Sequence, residues 1–175
     1  VIVEHILAGR DVLAVMPTGA GKSLCYQLPA LLLPGITVVV SPLISLMMDQ
    51  VKALNEAGVH AAYINSSLTE SQIARALELA KAGQYKIIYV APERLETSRF
   101  LDFACHTELS MITVDEAHCI SQWGQDFRPS YVRIPDFIRQ LPMRPVLSAF
   151  TATATERVRE DILQSLQMEN PFETV

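Results

Sequence analysis

The sequence predicts an α/β domain, a mainly parallel sheet with helices on both faces. Two observations carry this. Short apolar runs of β-branched residues alternate with segments of helical periodicity, the pattern of strands joined by crossover helices. The segments of interest begin at Met16, Ser41, Ala91, Asp115 and Thr151, each following one of the runs, and loops in such sheets converge beyond the carboxyl ends of the strands.

The opening VIVEHILAGRD reads as the last turns of a helix closed by Gly9. Strands are expected at 11–15, 36–40, 61–64, 86–90, 111–114 and 146–150. Helices are expected at 22–33, at 43–57 closed by Gly58, at 70–82 opened by Thr69 and closed by Gly83, and at 155–166. The domain is assigned to residues 1–170. The tail at 171–175 reads as the start of a connection to a further domain, and the whole as an excerpt of a longer protein.

A chain of 175 residues, half of them apolar, can bury a full core. No run reaches the roughly 18 to 20 apolar residues that span a bilayer, so no membrane partner is expected. Cys25, Cys105 and Cys119 form no CxxC pair and read as reduced thiols of a cytoplasmic protein. The net charge of −5 disfavours tight non-specific binding to a polyanion, so any nucleic-acid contact should be local.

The segment MPTGAGKS places Thr18, Gly19, Ala20, Gly21, Lys22 and Ser23 between an apolar strand and a helix, where successive backbone N–H groups can turn toward one anion. Lys22 supplies a compact cation for outer phosphates, and the Ser23 hydroxyl can ligate Mg²⁺. Met16 stands where the common GxxxxGK[ST] pattern has its first glycine, and Pro17 follows it. The segment MITVDEAH puts Asp115 and Glu116 at the end of a buried strand. There one carboxylate can face the metal and the other can deprotonate the attacking water. His118 and Cys119 are adjacent and lack a second pair, so no zinc is expected.

Together MPTGAGKS, SPLISLMMDQ, YVAPERL, VDEAHCISQWGQDFRPSY and FTATA resemble the RecQ family of superfamily 2 DNA helicases, from near residue 1 to about residue 170. The resemblance implies a RecA-like P-loop NTPase domain. It implies an ATP- and Mg²⁺-dependent motor that moves 3′ to 5′ on single-stranded DNA and opens partial duplexes in recombination and repair. Met16 to Ser23 would then take the nucleotide, Ser23 and Asp115 the Mg²⁺, and Lys22, Asp115, Glu116 and His118 the catalytic work. His118 would link the ATP site to Thr151 and Thr153. Ser41, Pro42 and Arg94 would lie along the DNA backbone, and Trp123, Phe127 and Arg128 would form a DNA-sensing aromatic loop.

The physics of that loop stands independently, since aromatic faces stack on unpaired bases and a guanidinium pairs with phosphate. Arg128, Arg133, Arg139 and Arg144 make a local basic excess, which serves equally well as a DNA track or as a solvated face. By resemblance the adenine-recognition motif lies upstream of this sequence, and a second RecA-like domain supplies an arginine finger. This portion alone is therefore expected to bind nucleotide with little turnover and no unwinding. Two other readings stay open: the motor of another DEAH-type helicase, and a nucleotide-dependent DNA- or partner-binding module without catalysis.

Overall fold

In the computed structural model, which describes residues 1–17 and 21–175, seven parallel strands form one sheet. They are β1 (Val12–Val15), β2 (Ile36–Val40), β3 (Ala61–Ile64), β4 (Ile87–Val90), β5 (Leu109–Val114), β6 (Val146–Thr151) and β7 (Phe172–Thr174), in the spatial order β3-β4-β2-β5-β6-β1-β7. Every pairing is parallel. The central strands read as continuous apolar runs because both faces are covered.

The period of two along each strand sorts the side chains between two cores. Val38, Val40, Ile88, Val90, Ile112 and Val114 point to one face. That face is covered by α4 (Glu70–Lys81), α5 (Ser98–Cys105), α6 (Ile134–Arg139) and α7 (Glu156–Ser165). Val12, Ala14, Val39, Ile87, Tyr89, Met111 and Phe150 point to the other, under α1 (Ile2–Leu7), α2 (Lys22–Leu32) and α3 (Ile44–Glu56). In α4, Ile73, Leu77 and Ala80 recur at helical spacing and are buried, while the polar residues between them face water.

Local chemistry sets the helix ends. Thr69 Oγ1 accepts from Gln72 N–H, and Gln72 Oε1 accepts from Thr69 N–H at 2.8 Å, which satisfies donors that the first turn of α4 leaves free. Gly83 follows α4 with φ 82°, a left-handed conformation that carries no Cβ penalty only for glycine. The expected helices and strands form within a few residues of their assigned ends, as helix fraying allows. Among the described residues, α5, α6 and β7 are additional, together with 3₁₀ turns at Pro92–Glu96, Ala117–Ile120 and Pro129–Arg133. The tail read as the start of a connection is, over Phe172–Thr174, an edge strand whose Phe172, Glu173 and Thr174 register with Val12, Leu13 and Ala14 of β1. Among the described residues, no helix is long and apolar enough to cross a membrane.

Candidate active site at the carboxyl edge of the sheet

The strand order turns scattered sequence segments into a row along one edge. Passing across β4, β2, β5, β6 and β1, the residues just beyond or at the strand ends are Ala91, Ser41, Asp115, Thr151 and Met16. Backbone bonds continue the sheet into this rim: Ala91 N–H donates to Ile64 O, Ser41 N–H to Val90 O, Asp115 N–H to Val40 O and Met16 N–H to Thr151 O. Pro17, exposed, follows Met16. Thr18, Gly19 and Ala20, expected to cradle phosphate, lie outside the described residues.

Gly21 starts α2 in the left-handed region, with φ 76° and ψ 23°. This turns the chain sharply and sends Lys22 toward the end of β5. The Lys22 ammonium lies 2.9 Å from Asp115 Oδ1 and 3.6 Å from Glu116 Oε1. Burial lowers the Lys22 pKa, but the two carboxylates raise it by more, so the net shift is upward and the ammonium stays charged. Asp115 is buried, and its Oδ1 also accepts from Glu116 N–H at 2.9 Å. The Tyr131 hydroxyl donates to Asp115 O at 2.7 Å, fixing the backbone from inside the core. Glu116 has φ 51° and ψ 45°, a left-handed conformation uncommon outside glycine. This bend carries the Glu116 side chain back toward Lys22.

His118 Nδ1 is 2.7 Å from Thr151 Oγ1, and Thr151 Oγ1 donates to Thr153 O at 3.0 Å. His118, Thr151 and Thr153 are thus brought together in one hydrogen-bonded chain across β5 and β6. His118, Cys119 and Asp126 also offer three possible ligand atoms within 4.8 Å of one another. However, burial and then Asp126 push the Cys119 thiol up to about 12, which opposes the thiolate that zinc requires.

The loop 121–128 is anchored at both ends. Ser121 Oγ donates to Asp161 of α7 at 2.7 Å, and Arg128 N–H donates to Cys119 O at 2.9 Å. Between these anchors Trp123 is 60% exposed, with the Arg157 guanidinium 3.5 Å from its ring centroid. Phe127 and Arg128 are partly buried, and Arg128 pairs with Asp126. A cleft of about 460 Å³ opens between Trp123, Asp126, His118 and the segment Thr153 to Thr155.

Ser41 is buried, its Oγ accepting from Leu43 N–H, and Pro42 beside it is partly exposed. Arg94 sits in the 3₁₀ turn Pro92–Glu96 and pairs with Glu70 at 3.5 Å. The basic excess does not form a free track. Arg133 pairs with Glu96, Arg139 with Asp136, and Arg144 with the buried Asp11 at 2.6 Å. Sequence reading did not single out Tyr131, Gln50 or Arg157. Tyr131 closes the segment DFRPSY and Gln50 the segment SPLISLMMDQ, whereas Arg157 carries no local signal.

The profile of the DEAD/DEAH box helicase family matches residues 1–162. The chain is 50% identical over 162 residues to the ATP-dependent DNA helicase RecQ of Bacillus subtilis, covering 93% of this chain and 27% of that protein. It is 45% identical over 170 residues to the RecQ helicase of Pasteurella multocida, covering 97% of this chain and 27% of that one. It therefore spans about a quarter of the length of these relatives. Among solved structures, the helicase MrfA bound to DNA and AMPPNP superimposes with a TM-score of 0.78 at 19% identity, covering 99% of this chain and 26% of that one. That likeness speaks to the fold alone. A seven-stranded parallel sheet carrying Lys22, Asp115 and Glu116 on its carboxyl rim, together with the family match, makes the chain a member of the DEAD/DEAH box helicase family.

Proposed function

We propose that this chain is the nucleotide-binding motor domain of a RecQ-type DNA helicase, and that ATP hydrolysis at the rim drives 3′ to 5′ movement on single-stranded DNA in recombination and repair. The observation that carries the reading is the Lys22 ammonium between the carboxylates of Asp115 and Glu116. Two acidic groups converge there on a cation, and in a motor that position is shared with a metal and with phosphate. High identity to RecQ helicases supports DNA as the track.

The residues present fit Mg²⁺. Ser23 and Asp115 offer hard oxygen ligands, and the Lys22 ammonium already occupies a cation position against Asp115. When bound, Mg²⁺ neutralises charge on the β- and γ-phosphates. Lys22, released from Asp115, binds the outer phosphate oxygens. Glu116 takes the proton of the attacking water as the oxygen–phosphorus bond forms and the bond to the β-phosphate breaks, giving ADP and inorganic phosphate. His118 hands the state of the site to Thr151 and Thr153 through its hydrogen bond. Trp123 and Phe127 take unpaired bases by stacking, with Ser41, Pro42 and Arg94 beside the DNA backbone. A second RecA-like domain completes catalysis, and the protein works in the cytoplasm or nucleoid.

Titration with a fluorescent ATP analogue tests the reading. Mg²⁺-dependent binding is expected in the wild type, lost in Lys22→Ala and retained in Glu116→Gln. A folded wild-type chain that binds no nucleotide would overturn the assignment. In a protein that also carries the second motor domain, Glu116→Gln should lower DNA-stimulated hydrolysis at least 100-fold, by analogy with other positioned bases.

A further inference from the structure

A chain of polar side chains, buried at Tyr26, Tyr89 and Gln27 and partly buried at Gln50, ends at Ser23, and none of its other members belongs to the proposed catalytic set. The Tyr26 and Tyr89 hydroxyls are 3.0 Å apart, and both rings are almost wholly buried between α2 and β4. Gln27 Nε2 donates to Tyr89 OH at 2.9 Å and to Gln50 Oε1 at 2.9 Å. Gln50 Nε2, on α3, donates to Ser23 Oγ at 3.3 Å.

Donor accounting gives the chain a direction. The two hydrogens of the Gln27 amide are both used, so its orientation is fixed. Its donation requires the oxygen of the Gln50 amide to face it, which leaves the Gln50 NH₂ to face Ser23. A serine in the first turn of a helix otherwise bonds its own backbone or rotates freely. Here one lone pair of Ser23 Oγ accepts from Gln50 Nε2, a contact that ties the serine side chain to α3. Burying the hydrogen-bonding side chains of Tyr26, Gln27 and Tyr89 beside an apolar core costs free energy unless every one is satisfied, and the partly buried Gln50 completes the set for Gln27. A purely structural filling of this interface could have been apolar.

We propose that Gln50 is a positioning residue that holds the Ser23 hydroxyl oriented for the nucleotide-bound divalent cation, with Gln27 and Tyr89 fixing Gln50 in turn. The proposal rests on the reading above, that nucleotide binds here with Mg²⁺. Gln50 lies on the helix that follows Ser41, and Tyr89 on the strand that precedes Ala91, so two rim segments are tied to one metal ligand.

The test compares affinities for a fluorescent ATP analogue in Mg²⁺ and in EDTA for the wild type, Gln50→Met, Ser23→Ala and the double variant, alongside thermal melting. Gln50→Met should keep the EDTA affinity within about twofold and lose roughly 10-fold of the Mg²⁺ enhancement, the scale on which partners of metal ligands act. The double variant should match Ser23→Ala. Should Gln50→Met not fold, Tyr89→Phe preserves the ring packing and should lose about twofold to threefold of the same enhancement, since it frees Gln27 to turn. Wild-type enhancement in the folded variant, or losses that add in the double variant, would overturn the proposal. A folded wild type without nucleotide binding in either condition would overturn it together with the reading on which it rests.

Discussion

The Thr151 hydroxyl spends its only proton on the Thr153 carbonyl, so it can only accept from Nδ1 of His118, 2.7 Å away. That makes His118 the Nδ1–H tautomer whenever it is neutral, with Nε2 left to accept. Nitrogen NMR of selectively labelled histidine should report this tautomer for His118. In Thr151→Val the acceptor is gone and the preference should vanish, while nucleotide affinity stays within about twofold because the phosphate contacts are untouched.

Lys22 neutralises a buried carboxylate, so its removal should cost stability even without nucleotide. Lys22→Met is expected to destabilise the free protein by roughly 2 to 3 kcal/mol, below the usual cost for a fully buried pair because Lys22 retains some contact with water. Adding Asp115→Asn should return most of that loss, and urea denaturation of the three variants measures it. The folded-state pKa of Lys22 lies above its ordinary value of 10.5. Its contribution is therefore complete below 10.5 and declines only as pH rises through the higher folded value. Melting curves of Lys22→Met and wild type should keep a constant separation from pH 7 to 10.

Trp123 is the single tryptophan of the sequence, and Arg157 stacks over it. A partly exposed cation–π contact contributes about 0.5 to 1 kcal/mol, whereas a stacked base contributes about 1 to 3 kcal/mol. A base should therefore displace the guanidinium. Titration with oligodeoxythymidine is expected to quench tryptophan emission, and Trp123→Ala should weaken binding by about 1 to 3 kcal/mol. Unchanged emission at saturating DNA would place the strand elsewhere.

Cys119 is buried, and its thiol is pushed up to about 12, first by burial and then by Asp126. At pH 8 only ~10⁻⁴ of such a group is thiolate, so it should ignore thiol reagents. Cys25 and Cys105, each partly exposed, should react first with an aromatic disulfide reagent, and Cys119 only on unfolding.

The long regular elements were legible because their burial follows a local period. Ile73, Leu77 and Ala80 show it in α4, where Thr69 announces its helix by its cap, while Val38 to Val40 in β2 read instead as an unbroken apolar run buried on both faces. The positions of Asp115 and Thr151 at strand ends could be expected for the same reason. What escaped was short or non-local. β7 has three residues and exists only through its pairing with β1, far away in sequence. α5 does carry a signal, a Thr97 cap accepting from Phe100 N–H, but eight residues are too few for periodicity to stand out. Gln50 lies in the segment SPLISLMMDQ and Arg157 in no such motif, but both act on partners in other segments, and no pattern along the chain announces those pairings. Arg144 looked like part of a basic track, yet its partner Asp11 sits 133 positions earlier.

The parallel pairing of β7 with β1 also sets a direction of exit. Strand β7 runs alongside the strand that leads to Met16, so the chain leaves Thr174 at the same rim as Lys22 and Thr151. Any continuation beyond Val175 would start beside the Lys22 end of the sheet rather than behind it. Tension on such a continuation would run along β7 as shear against β1, loading the strand that leads to Met16 before any other part of the domain.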